Sequence, residues 1–322
     1  MKKISVNIIG AAGFVGGELI RLLINHPHVE SLCLQSNSQA GKKVGLVHKD
    51  LFHSELVFTS DYAHDADVIF ISRGHGQSKG FIQELGDEKD IVVIDMSRDY
   101  RIISNDNDFV YGLPEWNRTL IKASNRIANT GCFANAIQLA IFPLLKNKLL
   151  EKDLHVQGVT GSTGAGYAKL DTTHFSWRDS NISVYKAFTH QHLGEVNQLI
   201  YSHVPEYNGD VNFVPMRGNF TRGILVTAYT KTDKSIEELT ELYDEMYQDE
   251  PFVHISSAPI DLKQVINTNW ALIQLQKFDN KVFITCAIDN LLKGAAGQAI
   301  QNMNISQGFD EDTGLKLKPT AF

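Results

Sequence analysis

Cys132 stands in the run Ala128-Asn-Thr-Gly-Cys-Phe-Ala-Asn-Ala136, and the apolar spacing from Phe133 to Leu145 predicts a helix. Its thiol therefore falls at or near a helix N-terminus. There the partial positive charge favours thiolate over a thiol whose ordinary pKa is about 8.5. Thiolate is the nucleophile that acyl transfer requires. The bland alternative is a small buried apolar residue, and that is the reading of Cys33 and Cys286, which fall in predicted strands. A cysteine nucleophile also needs a proton carrier. The informative pair is His190 and His192, in Tyr185-Lys-Ala-Phe-Thr-His-Gln-His-Leu-Gly-Glu195, where two histidines and then an acid begin a predicted helix. The i, i+2 spacing does not put both rings on one helix face, and no further ligand is evident, so no metal is expected. General acid–base work with Cys132 fits better, against histidines that merely precede a surface helix.

A second chemical signal lies near the start of the chain. Gly10, Gly13 and Gly16, with Phe14 and Val15 between the last two, separate a predicted strand from a predicted helix. Glycines there let the backbone approach a pyrophosphate, and the helix start adds positive charge. The spacing departs from G-x-G-x-x-G because Ala11-Ala12 fill the middle. In binders of the unphosphorylated dinucleotide, an acid about 20 residues further on takes the ribose hydroxyls. Here that stretch is Leu34-Gln35-Ser36-Asn37-Ser38, followed by Lys42 and Lys43. Hydroxyls at Ser36 and Ser38 with nearby lysines suit a 2′-phosphate, so the expected cofactor is NADP. The alternative leaves both lysines as solvated loop charges.

Stepping outward, the elements that carry these residues fall into two groups. Short β-branched runs at 4–9, 29–35, 67–72 and 91–95, with helical segments at 17–26 and 76–86, form a βαβ series. That predicts a Rossmann-type, doubly wound parallel sheet. Beyond about residue 130 the pattern changes. A helix at 133–146 is followed by more clearly alternating strands at 154–160, 211–216, 222–231 and 281–288, a helix near 192–203, and one opened by Ser235 with Glu238 as a capping box. This is an α+β domain with a mostly antiparallel sheet. The tail from Asp289 to Ser306 reads as a helix with one apolar stripe.

Composition narrows the function. The chain has 322 residues, 43% hydrophobic and 21% charged, which suits two globular domains. Its net charge is −7, without long basic runs, so nucleic acid and membrane are not expected partners. The two early lysines and short apolar run lack a cleavage-type sequence, and no stretch nears the ~18 apolar residues that span a bilayer. A cytoplasmic protein is expected. Three cysteines without a CxxC pair give neither a disulfide framework nor a structural zinc site.

Several ordered motifs carry a resemblance that runs nearly end to end. They are Gly10 to Leu19 (GAAGFVGGEL), Asp95 to Arg101 (DMSRDYR), Tyr111 to Glu115 (YGLPE), Asn129 to Ala136 (NTGCFANA), Gly158 to Gly166 (GVTGSTGAG), His190 to Glu195, and Asp289 to Asn302 (DNLLKGAAGQAIQN). Together they resemble the N-acetyl-γ-glutamyl-phosphate reductases of arginine biosynthesis, in the semialdehyde dehydrogenase superfamily. The resemblance implies that Cys132 attacks an acyl phosphate, that NADPH reduces the resulting thioester to an aldehyde, and that His192 or else His190 exchanges the proton. It implies substrate contacts by Arg101, Ser162, Glu195 and Arg217, the last as a carboxylate clamp or else a surface ion pair. Gly164, in the turn 162–166, and Asn290, opening the tail helix, are implied at the cofactor, the alternatives being a tight turn and an N-cap. It also implies a catalytic and dimerisation domain of the glyceraldehyde-3-phosphate dehydrogenase-like type at 132–289, a discontinuous dinucleotide domain at 1–131 with 290–322, and a homodimer or homotetramer. Thr130, Gly194 and Tyr167 depart from the family's usual Pro, Pro and Arg, which leaves the acyl group open between acetyl, succinyl and something larger. Rival readings are an aspartate-semialdehyde dehydrogenase, a non-catalytic NADP-binding sensor, and a cysteine hydrolase.

Overall fold

The structure, a computed structural model, describes residues 2–86, 90–167 and 171–320. The chain divides into two compact units, Met1–Thr130 with Ala295–Lys316, and Gly131–Gly294 with Leu317–Phe322. Gly131, residues 290–294 and residues 317–320 were expected with the first domain and group with the second unit.

The first unit is built on β1 (Ile4–Ile9), α1 (Phe14–Leu23), β2 (Val29–Gln35), β3 (Val68–Ile71), α2 (Ser78–Leu85), β4 (Val92–Asp95), β5 (Val110–Gly112), α3 (Pro114–Ala123) and β6 (Arg126–Asn129). Its sheet runs β2-β1-β3-β4-β6-β5, every pairing parallel. All four residues of β3 and of β4 are buried, as strands covered on both faces must be. The strand order reverses between β1 and β3, and open α/β sheets bind ligands outside the strand ends at such a point. The C-terminal helix of this unit, Ala296–Gln307, differs from the expected single-stripe helix. It starts at Ala296 rather than near Asp289, and its residues from Ala296 to Ile305 are all buried. The amide nitrogens of its polar members are met within the unit, while Gln298 Oε1 and Asn302 Oδ1 are buried without a hydrogen-bond partner. Gln298 and Asn302 donate to the Gly112 carbonyl, and Asn304 donates to the carbonyls of Glu311 and Thr313.

The second unit contains α4 (Cys132–Lys146), β7 (Leu154–Thr160), α5 (Phe175–Arg178), β8 (Ser183–Val184), α6 (Leu193–His203), β9 (Val211–Arg217), β10 (Ile224–Lys231), α7 (Ile236–Tyr247), β11 (Val253–Ile255), β12 (Ala271–Phe278) and β13 (Lys281–Ile288). The Ala296–Gln307 helix is α8. The sheet order is β11-β12-β13-β10-β7-β9-β8, with parallel pairing only at β11–β12 and β7–β9. Helix α4 lies against β10 and β13 and is buried from Phe133 to Leu145. Pro143 within it has no N–H for the carbonyl of Leu139. The Tyr247 hydroxyl fills that gap at 2.6 Å, and Tyr243 takes the next carbonyl, of Ala140. The capping box forms as expected, Ser235 with Glu238 at the start of α7.

The opposite face of this sheet carries three aligned rows. One is Met216, Val159, Leu225, Ala287 and Leu272; the next is Val214, Gln157, Thr227, Thr285 and Gln274; the third is Asn212, His155, Tyr229, Phe283 and Gln276. Residues on this face of β7 and β10 alternate with fully buried neighbours and are themselves half-buried or exposed. No helix among the described residues is long and apolar enough to cross a membrane.

Candidate active site

In the first unit, the β1–α1 turn lies at the switch point. Gly10 has φ +84°, and a Cβ there would meet the Ser72 carbonyl oxygen at 2.7 Å, so the backbone passes too close to the end of β3 for any side chain. A Cβ at Gly16 would lie 2.5 Å from the Ala11 oxygen, which lets the first turn of α1 close on the loop. Gly13 is different: its Cβ would find nothing nearer than 3.8 Å. It is the N-cap of α1, without a side-chain cap, and the first turn holds no acid. This is a helix start suited to an anion.

At the end of β2, Gln35 and Ser36 are buried and Ser38 is exposed. Gln35 donates to the Asn37 side chain and the Ser60 carbonyl, and its amide oxygen receives Arg73 Nη2 at 3.4 Å. Arg73 also lies over the Phe81 ring, 5.2 Å from the centroid. It is a cation beside the strand end that sequence inspection missed, because it follows β3 rather than β2. The lysines read there are otherwise engaged: Lys43 pairs with Glu55 at 2.6 Å and Lys42 donates to Gln39. Arg101 is 5% exposed, and its guanidinium donates to the carbonyls of Met96 and Asn129. Those bonds hold the ends of β4 and β6.

In the second unit, Cys132 opens α4, half-buried, behind the extended N-cap Gly131. The neighbouring Phe133 ring fixes the helix start. A Cβ at Gly158 on β7 would meet it at 2.4 Å, so the ring occupies a notch that only glycine leaves, and it also packs edge-on to Phe213. A Cβ at Gly294 would come within 2.8 Å of the Cys132 Cβ. Glu195, expected at the substrate, is 2% exposed and accepts the Gly131 N–H at 2.8 Å, while its own carbonyl accepts Gln138 Nε2. The carboxylate thus anchors the residue before Cys132, tying the start of α6 to the start of α4.

His190 and His192 come together, ring centroids 4.6 Å apart. The His192 N–H donates to His190 Nδ1 at 3.2 Å, which places the His190 proton on Nε2. His190 is enclosed by Phe133, Tyr185 and Phe213. Burial first, then the charges of Lys186 and Arg217, pull its pKa down to about 4, so it is neutral at physiological pH. His192 is the N-cap residue of α6 and is buried. Tyr185, which the sequence did not flag, has its phenol pushed up to about 12 by burial and by the Cys132 charge, and Arg217 lies over its ring at 4.7 Å. Lys186 and Phe188 both have positive φ, so the chain turns sharply between Tyr185 and His190.

The turn 162–166 is a single 3-10 turn held to residues 220–223 by the Gly161, Ser162 and Thr163 N–H groups. Ser162 is half-buried and Gly164 exposed. Asn290 does not cap α8, whose N-cap is Ala295. Its side chain accepts the Gly223 N–H at 2.7 Å and donates to Thr163 Oγ1 at 3.0 Å, bracing that same turn. Among the described residues, no group of three or more His, Cys, Asp or Glu is arranged to hold a metal ion.

Comparison with known proteins agrees with this anatomy. The semialdehyde dehydrogenase NAD binding domain matches residues 5–124, and the semialdehyde dehydrogenase dimerisation domain matches residues 132–290. The chain belongs to the semialdehyde dehydrogenase family.

Within that family, two relatives named N-acetyl-gamma-glutamyl-phosphate reductase stand close. That of Christiangramia forsetii is 49% identical over 99% of this chain and 100% of its own length, and that of Parabacteroides distasonis is 50% identical with the same coverage. Among solved structures, aspartate semialdehyde dehydrogenase II of Vibrio cholerae, complexed with ASA, superposes with a TM-score of 0.75 at 18% identity, over 95% of this chain and 98% of that one. The Candida albicans aspartate semialdehyde dehydrogenase with NADP gives 0.71 at 16% identity, over 95% and 99%. These structures share the semialdehyde dehydrogenase fold: a parallel Rossmann-like sheet and a mixed-sheet dimerisation domain. The family's dimerisation domain begins at Cys132, the first residue of α4.

Proposed function

We propose that this chain reduces an N-acyl-γ-glutamyl phosphate to the N-acyl-glutamate 5-semialdehyde and phosphate, with NADPH as reductant, in arginine biosynthesis. The observation that carries the reading is Cys132 at the first position of α4, its charge felt at Tyr185, against which His190 and Arg217 both pack, in a chain about half identical to two full-length relatives named for that reaction. Those relatives favour the glutamyl substrate over aspartate semialdehyde, whose enzymes match at 18% and 16%.

The Cys132 sulfur attacks the acyl carbon, the carbon–oxygen bond to phosphate breaks, and phosphate leaves. Bound NADPH supplies a hydride to the thioester carbon. The C–S bond of the resulting thiohemiacetal then breaks, releasing aldehyde and thiol. His192 exchanges the proton in this scheme, because His190 is held neutral with Nδ1 already accepting the His192 N–H. Backbone donors at the start of α4 stabilise the oxyanion. Arg217 takes a substrate anion, and Ser162 and Gly164 line the pocket with the turn that Asn290 braces.

For the cofactor, Gly10, Gly13, Phe14, Val15 and Gly16 receive the pyrophosphate, and Ser36, Ser38 and Arg73 receive the 2′-phosphate. The chain works in the cytoplasm as a homodimer or homotetramer, paired through the three-row face of the second sheet.

The direct test is the reverse assay. NADP reduction should require both phosphate and N-acetylglutamate 5-semialdehyde, with much less turnover on aspartate semialdehyde and with NAD. Turnover that ignores phosphate, or that prefers aspartate semialdehyde, would overturn the assignment.

A further inference from the structure

Arg178 has no place in the chemistry above, yet it is 6% exposed. Its Nη1 donates to the backbone carbonyl of Arg217, with a longer contact to the Asn181 carbonyl, and its Nη2 donates to Ser183 Oγ at 3.0 Å. Ser183 is the register partner of Arg217 across β8 and β9, so the two arginines sit on one frame. The Nε–H of Arg178 is buried without a hydrogen-bond partner, and so is the Nε–H of Arg217. Among the described residues, no carboxylate lies within ion-pair distance of either guanidinium. The Arg217 charge is felt at Arg178, where it adds to burial in lowering the pKa, and Lys186 and Arg217 both act on His190.

Neighbouring cations with buried, unmet donors and no acid to balance them are unfavourable on their own. The arrangement is satisfied by an anion that arrives with the ligand. A planar guanidinium offers N–H groups matched to two oxygens of a carboxylate or phosphate, which a lone ammonium does not.

We propose that Arg178 and Arg217 together form an oxyanion-binding site, which takes either the carboxylate or the phosphoryl group of the substrate. This rests on the reaction proposed above, in which both groups belong to one molecule. The reverse reaction separates them, because phosphate and semialdehyde are then independent substrates.

The experiment is steady-state kinetics of Arg178→Met and Arg178→Lys in that direction, with NADPH affinity and Tm measured alongside. Arg178→Met is expected to raise one KM by about 10- to 100-fold, the loss of one hydrogen bond to a charged group, with kcat and NADPH affinity held. A rise in the KM for phosphate assigns the site to the phosphoryl group; a rise for semialdehyde assigns it to the carboxylate. Arg178→Lys, which keeps the charge without the fork, should raise the same KM by a smaller factor. It carries the test alone if the Met variant does not fold. Unchanged KM values in a folded variant, or a fall in kcat that merely follows a fall in Tm, overturn the proposal. Wild-type protein without phosphate-dependent turnover would instead refute the proposed function, so the two failures are distinct.

Discussion

Helices α1 and α4 begin alike and are put to different uses. Each follows a buried parallel strand and an extended glycine N-cap, and each lacks both a side-chain cap and an acid in its first turn. At α1 the turn residues are glycines, and the nearest strand end offers Gln35 and Arg73 rather than a carboxylate. At α4 the carboxylate of Glu195 reaches in from α6 to hold Gly131, and the first helical residue is the proposed nucleophile. A glycine before a helix is therefore only half a signal. What faces it decides whether the positive end of the helix receives a phosphate from outside or serves a sulfur from within.

The comparison breaks most sharply at Cys132. Cys132→Ser should reduce turnover by roughly 10³-fold or more while NADPH binding, read by fluorescence titration, stays intact. Full turnover in that variant would remove α4 from the chemistry. Gly13→Asp tests the other helix start. There is room for the new side chain, and an N-cap Asp is favoured over Gly by about a few tenths of a kcal/mol, yet the charge should weaken NADPH binding about 10- to 100-fold. Undiminished NADPH affinity would show that the phosphates lie elsewhere. Glu195→Ala should cost about 1–3 kcal/mol by leaving the buried Gly131 N–H unmet, whereas Glu195→Gln keeps an acceptor and should recover most of both stability and turnover. Equal losses in the two variants would mean that the charge itself is what matters.

The smallest effect concerns pH. His190 titrates near 4 in the folded chain and near 6.5 when unfolded, so the unfolded chain binds the extra proton first. Its contribution is complete above pH 6.5 and is lost as pH falls toward 4. His26 and His254 shift in the same direction. Tm should therefore fall between pH 7 and pH 5, and His190→Phe should make that fall shallower. An unchanged slope would contradict the burial argument.

The sequence made the local features legible. The runs for β1 to β4 and β7, the box at Ser235, and Cys132 ahead of a helix all express their structure within a few residues. Strands β5 and β6 escaped because they are only Val110–Gly112 and Arg126–Asn129, too short for a periodic signal. Strand β12 escaped although a hairpin cue was present: Asp279 and Asn280 join it to β13, and Asp279 has φ +50°. In the site, the missed residues are those whose meaning depends on distant partners. Tyr185 matters through Arg217 and Cys132, and Arg73 through Gln35. Arg101 and Glu195 carry motifs that invite a substrate role, and nothing in the sequence signals that they also bind the backbone at Asn129 and Gly131. Asn290 is implied at the cofactor, or else as a helix cap, and the turn it braces lies more than a hundred residues earlier.

The buried helix α8 has a consequence for biosynthesis. A ribosome delivers the six parallel strands of the first unit well before their α8 cover. During elongation the apolar faces of β4 and β6, and the Gly112 carbonyl awaiting Gln298 and Asn302, have no native partner. That face of the nascent sheet thus stays uncovered until Ala296–Gln307 has been made. Premature termination just before Ala296 would leave a nucleotide sheet that has lost its cover, which makes it a target for proteolysis.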